Sequence, residues 1–121
     1  MMLIPNYYTI VESVKLGNDE YRFVVILNKS CDIYRGHFPD EPISPGVCNI
    51  EMILECAGDA IERELSLKKI ERCRLTKVVS PETTPILDIS IKLNSTERGV
   101  EICAVLSSNN EECMTLHAIA E

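Results

Sequence analysis

The strongest constraint on this chain is that it offers one long helix, and that the helix is greasy nearly all the way round. From Gly46 or Val47 to about Leu65, the residues Val47, Ile50, Leu54, Ala57, Ile61 and Leu65 recur at helical spacing. Met52 and Ile53 widen this stripe, while Glu51, Glu55, Asp59 and Glu62 run beside it. Such a helix is central and must be wrapped by sheet or by a partner chain. The flanking sequence offers sheet. Residues 8–15 and 21–28 read as strands joined through a turn at 16–20. Residues 69–79, 86–94, 100–106 and 113–120 read as four more, separated by breakers at 81–85, 95–99 and 107–110. ILDISIKLN and LHAIAE alternate as half-buried antiparallel strands do. The expectation is one α+β domain over residues 1–121: two strands, one long buried helix, then four strands. No internal repeat, low-complexity tract or linker interrupts it.

Composition narrows the function. The 121 residues suffice for one core, and at 45 % hydrophobic content the chain is expected to fold. Trp is absent and aromatics make up 5 %, so that core is aliphatic. A net charge of −7 argues against nucleic acid as the main partner. No apolar run approaches a membrane span, so no membrane insertion is expected. The six cysteines form no CxxC pair and sit mostly among apolar neighbours. The start, MMLIPNYYTI, has no basic leader-like region. They read as reduced thiols used as small hydrophobes in a cytoplasmic protein, without a metal site.

Chemistry concentrates in residues 36–51, GHFPDEPISPGVCNIE. His37 is a side chain suited to accept a proton near neutral pH. Alone it reads as an ordinary loop histidine. Its setting is what counts: Gly36 and Phe38 flank it, and Pro39, Pro42 and Pro45 follow at every third position. Each proline fixes its own φ and restricts the residue before it, so the long loop at 29–45 is held in few conformations. Pro45-Gly46 then opens the helix. Amides there lack intrahelical partners, and glycine allows close approach, although any Pro-Gly helix start shares these properties. Glu51 sits among Ile50, Met52, Ile53 and Leu54. Burial raises a carboxyl's pKa, and a helix N-terminus opposes that rise; the sequence leaves the balance open. Glu55, one turn on, adds a like charge that would push one proton onto the pair; the alternative is a solvated acidic edge.

These residues resemble the signature of the 3-hydroxyacyl-(acyl-carrier-protein) dehydratases of the hot-dog superfamily, close to G-H-F-P-x-x-P-x-x-P-G-V-x-x-x-E, from Gly36 through Glu51. The segment KVVSPE at 77–82 looks like a later loop of that family. The resemblance implies an antiparallel β-sheet wrapped around one long central α-helix. It implies a homodimer joined sheet edge to sheet edge, often built further into a trimer of dimers, each site using His37 of one protomer and Glu51 of the other. By the same resemblance His37 removes the α-proton, Glu51 helps the 3-hydroxyl leave as water, and the amides of Gly46 and Val47 polarise the thioester carbonyl. The substrate is carried by an acyl carrier protein on a phosphopantetheine arm, in fatty-acid or related acyl-chain synthesis. No metal or redox cofactor is implied.

The chain departs from the family pattern at four places. Ser44 stands for a usual apolar residue, Glu55 for Gln and Asp40 for a common Gly, and Asn49 adds a polar group. A carrier protein is acidic, so an acidic enzyme needs a basic patch; Lys68, Lys69, Arg72, Arg74 and Lys77 form the cluster available, read equally as a solvated strand edge. His117 reads as structural. Two competing functions remain: a thioesterase on the same fold, and a non-catalytic hot-dog partner subunit.

Overall fold

A computed structural model describes residues 6–36, 44 and 46–121. In chain order the elements are β1 (Tyr8–Lys15), β2 (Glu20–Leu27), a short α1 (Ile33–Gly36), α2 (Gly46–Ile61), β3 (Leu67–Leu75), β4 (Ile86–Thr96), β5 (Gly99–Ser108) and β6 (Glu111–Ala120). The six strands form one sheet in the order β1-β2-β4-β5-β6-β3, with every neighbouring pair antiparallel. The strand after the helix therefore crosses to the far edge instead of pairing with the strands next to it in sequence.

The period-2 pattern decides which face of the sheet is wet. On β4, Leu87, Ile89, Ile91 and Leu93 are buried; on β5, Val100, Ile102, Ala104 and Leu106 are. These side chains form one core with Phe23 and Val25 of β2, Met114 and Leu116 of β6, and Met52, Ile53, Cys56 and Ala57 of α2. Two turns fix the register. Asn109 and Asn110, both at positive φ, make a two-residue hairpin between Ser108 and Glu111, a geometry Asn tolerates better than most residues. Gly99, at φ 127°, starts β5 where a Cβ would lie 2.5 Å from the Ala120 carbonyl oxygen.

Three sequence expectations need correction here. First, α2 stops at Ile61, not near Leu65. Glu62 adopts φ 56°, its amide bonds to the Asp59 carbonyl (3.4 Å), and the Arg63 amide bonds to the Gly58 carbonyl (3.0 Å). This is a Schellman end with Glu at the position that usually holds Gly, so no stop signal is visible in the sequence. Ser66 then pairs with Glu121 through two backbone bonds, drawing the chain onto the sheet edge. Second, α2 buries Cys48, Asn49, Met52, Ile53, Leu54, Cys56, Ala57 and Gly58, so Leu54 and Ala57 of the expected stripe are buried while Val47 is 68 % exposed and Ile50 half-buried. A helix apolar on both arcs does not announce which one meets its own sheet. Third, Cys31, Cys48, Cys56 and Cys113 are buried, as small hydrophobes are, but Cys73 and Cys103 are exposed; none of the six is in a disulfide.

The helix end gives a stability prediction. Replacing Glu62 by Gly removes left-handed strain and should raise stability by about 0.5–1 kcal/mol, about 3 °C in Tm by thermal melting. An unchanged or lower Tm would show that the left-handed residue carries no strain worth relieving. No helix among the described residues is long and apolar enough to cross a membrane.

Candidate active site

His37, Phe38, Pro39, Pro42 and Pro45 lie outside the described residues. The framework on both sides of them is clear. Ser44, the described residue just ahead of α2, donates its amide to the Val79 carbonyl (2.7 Å), which ties the loop's end to the segment after β3. Its hydroxyl meets the Tyr34 hydroxyl of α1 at 2.8 Å. The Tyr34 ring stacks on Tyr7, centroids 6.0 Å apart. The Tyr7 hydroxyl donates to Asn49 Oδ1 of α2 at 3.1 Å. Tyr7, Tyr34, Ser44 and Asn49 are all buried, so their polar atoms depend on one another.

This network accounts for two of the family departures. Ser44 and Asn49 are polar because tyrosines at 34 and 7 are there to meet them. A sequence scan shows the polar residues but not their partners, which come from other parts of the chain. Asn49 Nδ2 is the buried side-chain atom left without a partner among the described residues.

Gly46 and Val47 form the first, exposed turn of α2. Among the described residues nothing lies within 4 Å of where a Gly46 Cβ would point. The helix's first amides lack intrahelical partners and carry partial positive charge. One turn on, Glu51 is half-buried on the arc turned away from the sheet. Burial pushes its carboxyl above the usual carboxylate range, and the charge of Glu55 adds to the rise. The balance left open by the sequence falls on the side of a raised pKa. The Glu55 carboxylate oxygen Oε1 accepts a hydrogen bond from the Tyr8 hydroxyl of β1 at 3.0 Å.

Glu51 and Glu55 line a groove of about 950 Å³ that continues along α2 past Asp59 to Glu62, Arg63 and Glu64. Gly58 floors it: an added Cβ there would meet the Arg63 carbonyl oxygen at 2.5 Å, so the chain turns back over a residue that must be small. Among the described residues no group of three His, Cys, Asp or Glu side chains is placed to hold a metal ion.

The basic cluster is spread along an edge. Lys68, Lys69, Arg72 and Arg74 are exposed on β3, the last strand of the sheet. Arg72 stands opposite His117 and Arg74 opposite Thr115, on the face away from the helix. Lys68 donates to the Arg98 carbonyl (3.0 Å), and Lys77 is ion-paired with Glu111 (2.9 Å). His117 is exposed, between Cys103 and Arg72 in the cross-strand row, and is not a core histidine.

Comparison with known proteins decides the family. A model of the ApeI-like family, described as ApeI dehydratase, matches residues 13–114. The chain belongs to the ApeI-like dehydratase family. Among curated relatives, the 3-hydroxyacyl-(acyl-carrier-protein) dehydratase FabZ of Caldanaerobacter subterraneus subsp. tengcongensis is 40 % identical over 65 residues, covering 48 % of this chain and 46 % of the relative. The chain thus spans about half the length of the curated relatives it matches at that level. FabZ of Lactiplantibacillus plantarum is 25 % identical over 95 % of this chain and 86 % of its own length. Among solved structures, the dehydratase heterocomplex ApeI:P from Xenorhabdus doucetiae superposes with a TM-score of 0.75 at 18 % identity, over 93 % of this chain and 96 % of that one. An uncharacterized protein from Erwinia carotovora subsp. atroseptica gives 0.70 at 12 % identity, over 94 % and 95 %. The fold is the hot-dog fold expected from the loop motif.

Proposed function

We propose that the chain removes water from 3-hydroxyacyl thioesters borne by an acyl carrier protein, giving trans-2-enoyl thioesters. The observation that carries this reading is the setting of Glu51. It is a half-buried carboxyl whose pKa burial raises, one turn from a helix N-terminus, in a dehydratase family and fourteen residues after the histidine of the motif in sequence.

In this mechanism His37 takes the proton from the carbon next to the thioester carbonyl. The freed electron pair moves into that carbonyl, whose oxygen is held by the Gly46 amide with Val47 beside it; one such donor contributes about 3 kcal/mol to the transition state. The pair then returns to form the carbon–carbon double bond and expels the 3-hydroxyl, which takes the Glu51 proton and leaves as water. His37 ends protonated and Glu51 ionised, so one proton must pass back between them. The C–H pair becomes the double bond and the C–O pair leaves with the hydroxyl, so the elimination is redox-neutral and no step calls for a redox group.

The site needs two subunits in this reading. At the sheet edge, β3 exposes Ile70 (43 %) and Leu75 (55 %) beside unpaired backbone groups, a surface suited to a matching edge from a second copy. The ApeI:P structure is itself a heterocomplex, which makes a related partner chain the competing occupant. The acidic carrier is proposed to meet Arg72 and Arg74, with Lys68, Lys69 and Lys77 contributing less. The rate with carrier-bound substrate should fall about 10–100-fold from low to high salt, and the Arg72→Gln, Arg74→Gln double variant should flatten that slope. A slope unchanged in the variant removes these arginines from docking.

The decisive assay presents the purified chain with 3-hydroxybutyryl and longer carrier-bound substrates. Growth of enoyl thioester absorbance supports the dehydratase. Release of free thiol instead establishes a thioesterase. Turnover only when a second hot-dog chain is added establishes a partner subunit.

A further inference from the structure

Two acidic side chains on one helix face raise the question of which one holds a shared proton. Glu51 and Glu55 are one turn apart and line the same groove, so their carboxyls lie close enough to couple. The family usually has an amide at the second position, which neither takes nor gives a proton. With a carboxyl there, a general acid at Glu51 has a competitor for its proton. Something must settle the contest if Glu51 is to work.

Tyr8 is placed to settle it. It opens β1, is fully buried, and sends its hydroxyl across to Glu55 Oε1 at 3.0 Å. No such bond reaches Glu51 among the described residues. We propose that Tyr8 is a positioning residue that fixes Glu55 as the acceptor of the pair and so leaves the pair's proton on Glu51. This rests on the reading of Glu51 as the general acid.

The chemistry is one-directional. A phenol that keeps its proton can donate to a carboxylate and favours the ionised form of its partner. Burial, with Cys56 and Glu55 nearby, raises the Tyr8 hydroxyl far above the usual phenol range, so it stays a donor throughout the working pH. Cys56 is pushed up to about 12, chiefly by burial, and stays protonated beside it. Among the described residues, the other charges lining the groove are Asp59 on α2 and Glu62, Arg63 and Glu64 in the turn after it. Asp59 is one turn from Glu55 and two from Glu51, so its charge pushes the proton toward Glu55. Asp59 is exposed and screened by solvent, whereas the Tyr8 hydroxyl bonds Glu55 directly.

The test follows the two carboxyl carbons by NMR in full-length protein labelled with ¹³C at glutamate, across a pH titration. In the unaltered protein the upper titration step should appear mainly at Glu51. In Tyr8→Phe the step should divide between Glu51 and Glu55, and the dehydration rate should fall about 2–10-fold as the proton is shared. In Tyr8→Phe with Glu55→Gln the step should return to Glu51 alone, at lower pH, with the rate recovered at pH values below that step. A merely structural tyrosine would lower Tm and would not move the step from one carbon to the other. An upper step already centred on Glu55 in the unaltered protein overturns the proposal, whether or not the variants fold. So does a Tyr8→Phe titration identical to the parent's. If the step moves as expected but the rate does not follow, the assignment of Glu51 as the acid fails while the role of Tyr8 stands.

Discussion

Alanine at position 37 lowers dehydration of a carrier-bound 3-hydroxyacyl thioester by about 10²–10⁴-fold, the usual contribution of a positioned acid–base group. Glutamine at position 51 does the same from the other end of the reaction, because an amide cannot protonate the leaving hydroxyl. Enoyl absorbance measures both, and unchanged melting temperatures show that the fold survives. The two differ in their pH signature. In the proposed mechanism Glu51 is the acid and must be protonated, so activity is retained below its pKa and lost as pH rises through it. Burial and the Glu55 charge raise that pKa, moving the loss toward neutral pH. His37 acts as a base and must be neutral, so its limb rises with pH. The profile of kcat/KM is therefore a bell, and Glu55→Gln moves the limb set by Glu51 to lower pH by removing one cause of the rise. A rate that survives in His37→Ala would take the imidazole out of the mechanism.

Lysines at positions 70 and 75 together should convert a dimer into monomers and abolish activity. Both side chains are apolar and exposed on the terminal strand β3. In an edge-to-edge dimer each would be covered, worth about 1.5–3 kcal/mol apiece, and each is present twice. Replacing them with charges weakens association by more than about 10³-fold. Sedimentation should show the change in mass, with the circular dichroism unaltered. Activity should fall with dimer content, because the histidine and the carboxyl of one site are proposed to come from facing subunits. A double variant that stays dimeric, or an active monomer, removes β3 from the assembly.

Much of the architecture could be read before any coordinates, and the reasons are local. β4 and β5 alternate cleanly because one face of each meets the core and the other meets water. The Asn109-Asn110 turn declares itself by residue type. The loop motif was legible because the chemistry needs a histidine, prolines, a glycine and a carboxyl at set spacing along one stretch of chain. The helix end was not legible, since Glu62 gives no hint that it takes the left-handed region. Val47 was placed on the wrong arc because both arcs of α2 are apolar near its start. His117 falls on the face opposite Leu116 and Ala118, as the alternation of LHAIAE requires, and is exposed.

Sequence alone determined the secondary-structure menu, the family motif and the residues available for chemistry, since each of these depends on neighbours in the chain. Tertiary structure decided what depends on distant ones. It carried β3 to the far edge of the sheet, opposite β1. It met Ser44 with Tyr34 and Asn49 with Tyr7, and it brought the Tyr8 hydroxyl to Glu55 rather than to Glu51. Those partners are set by packing in three dimensions, between residues far apart in the chain.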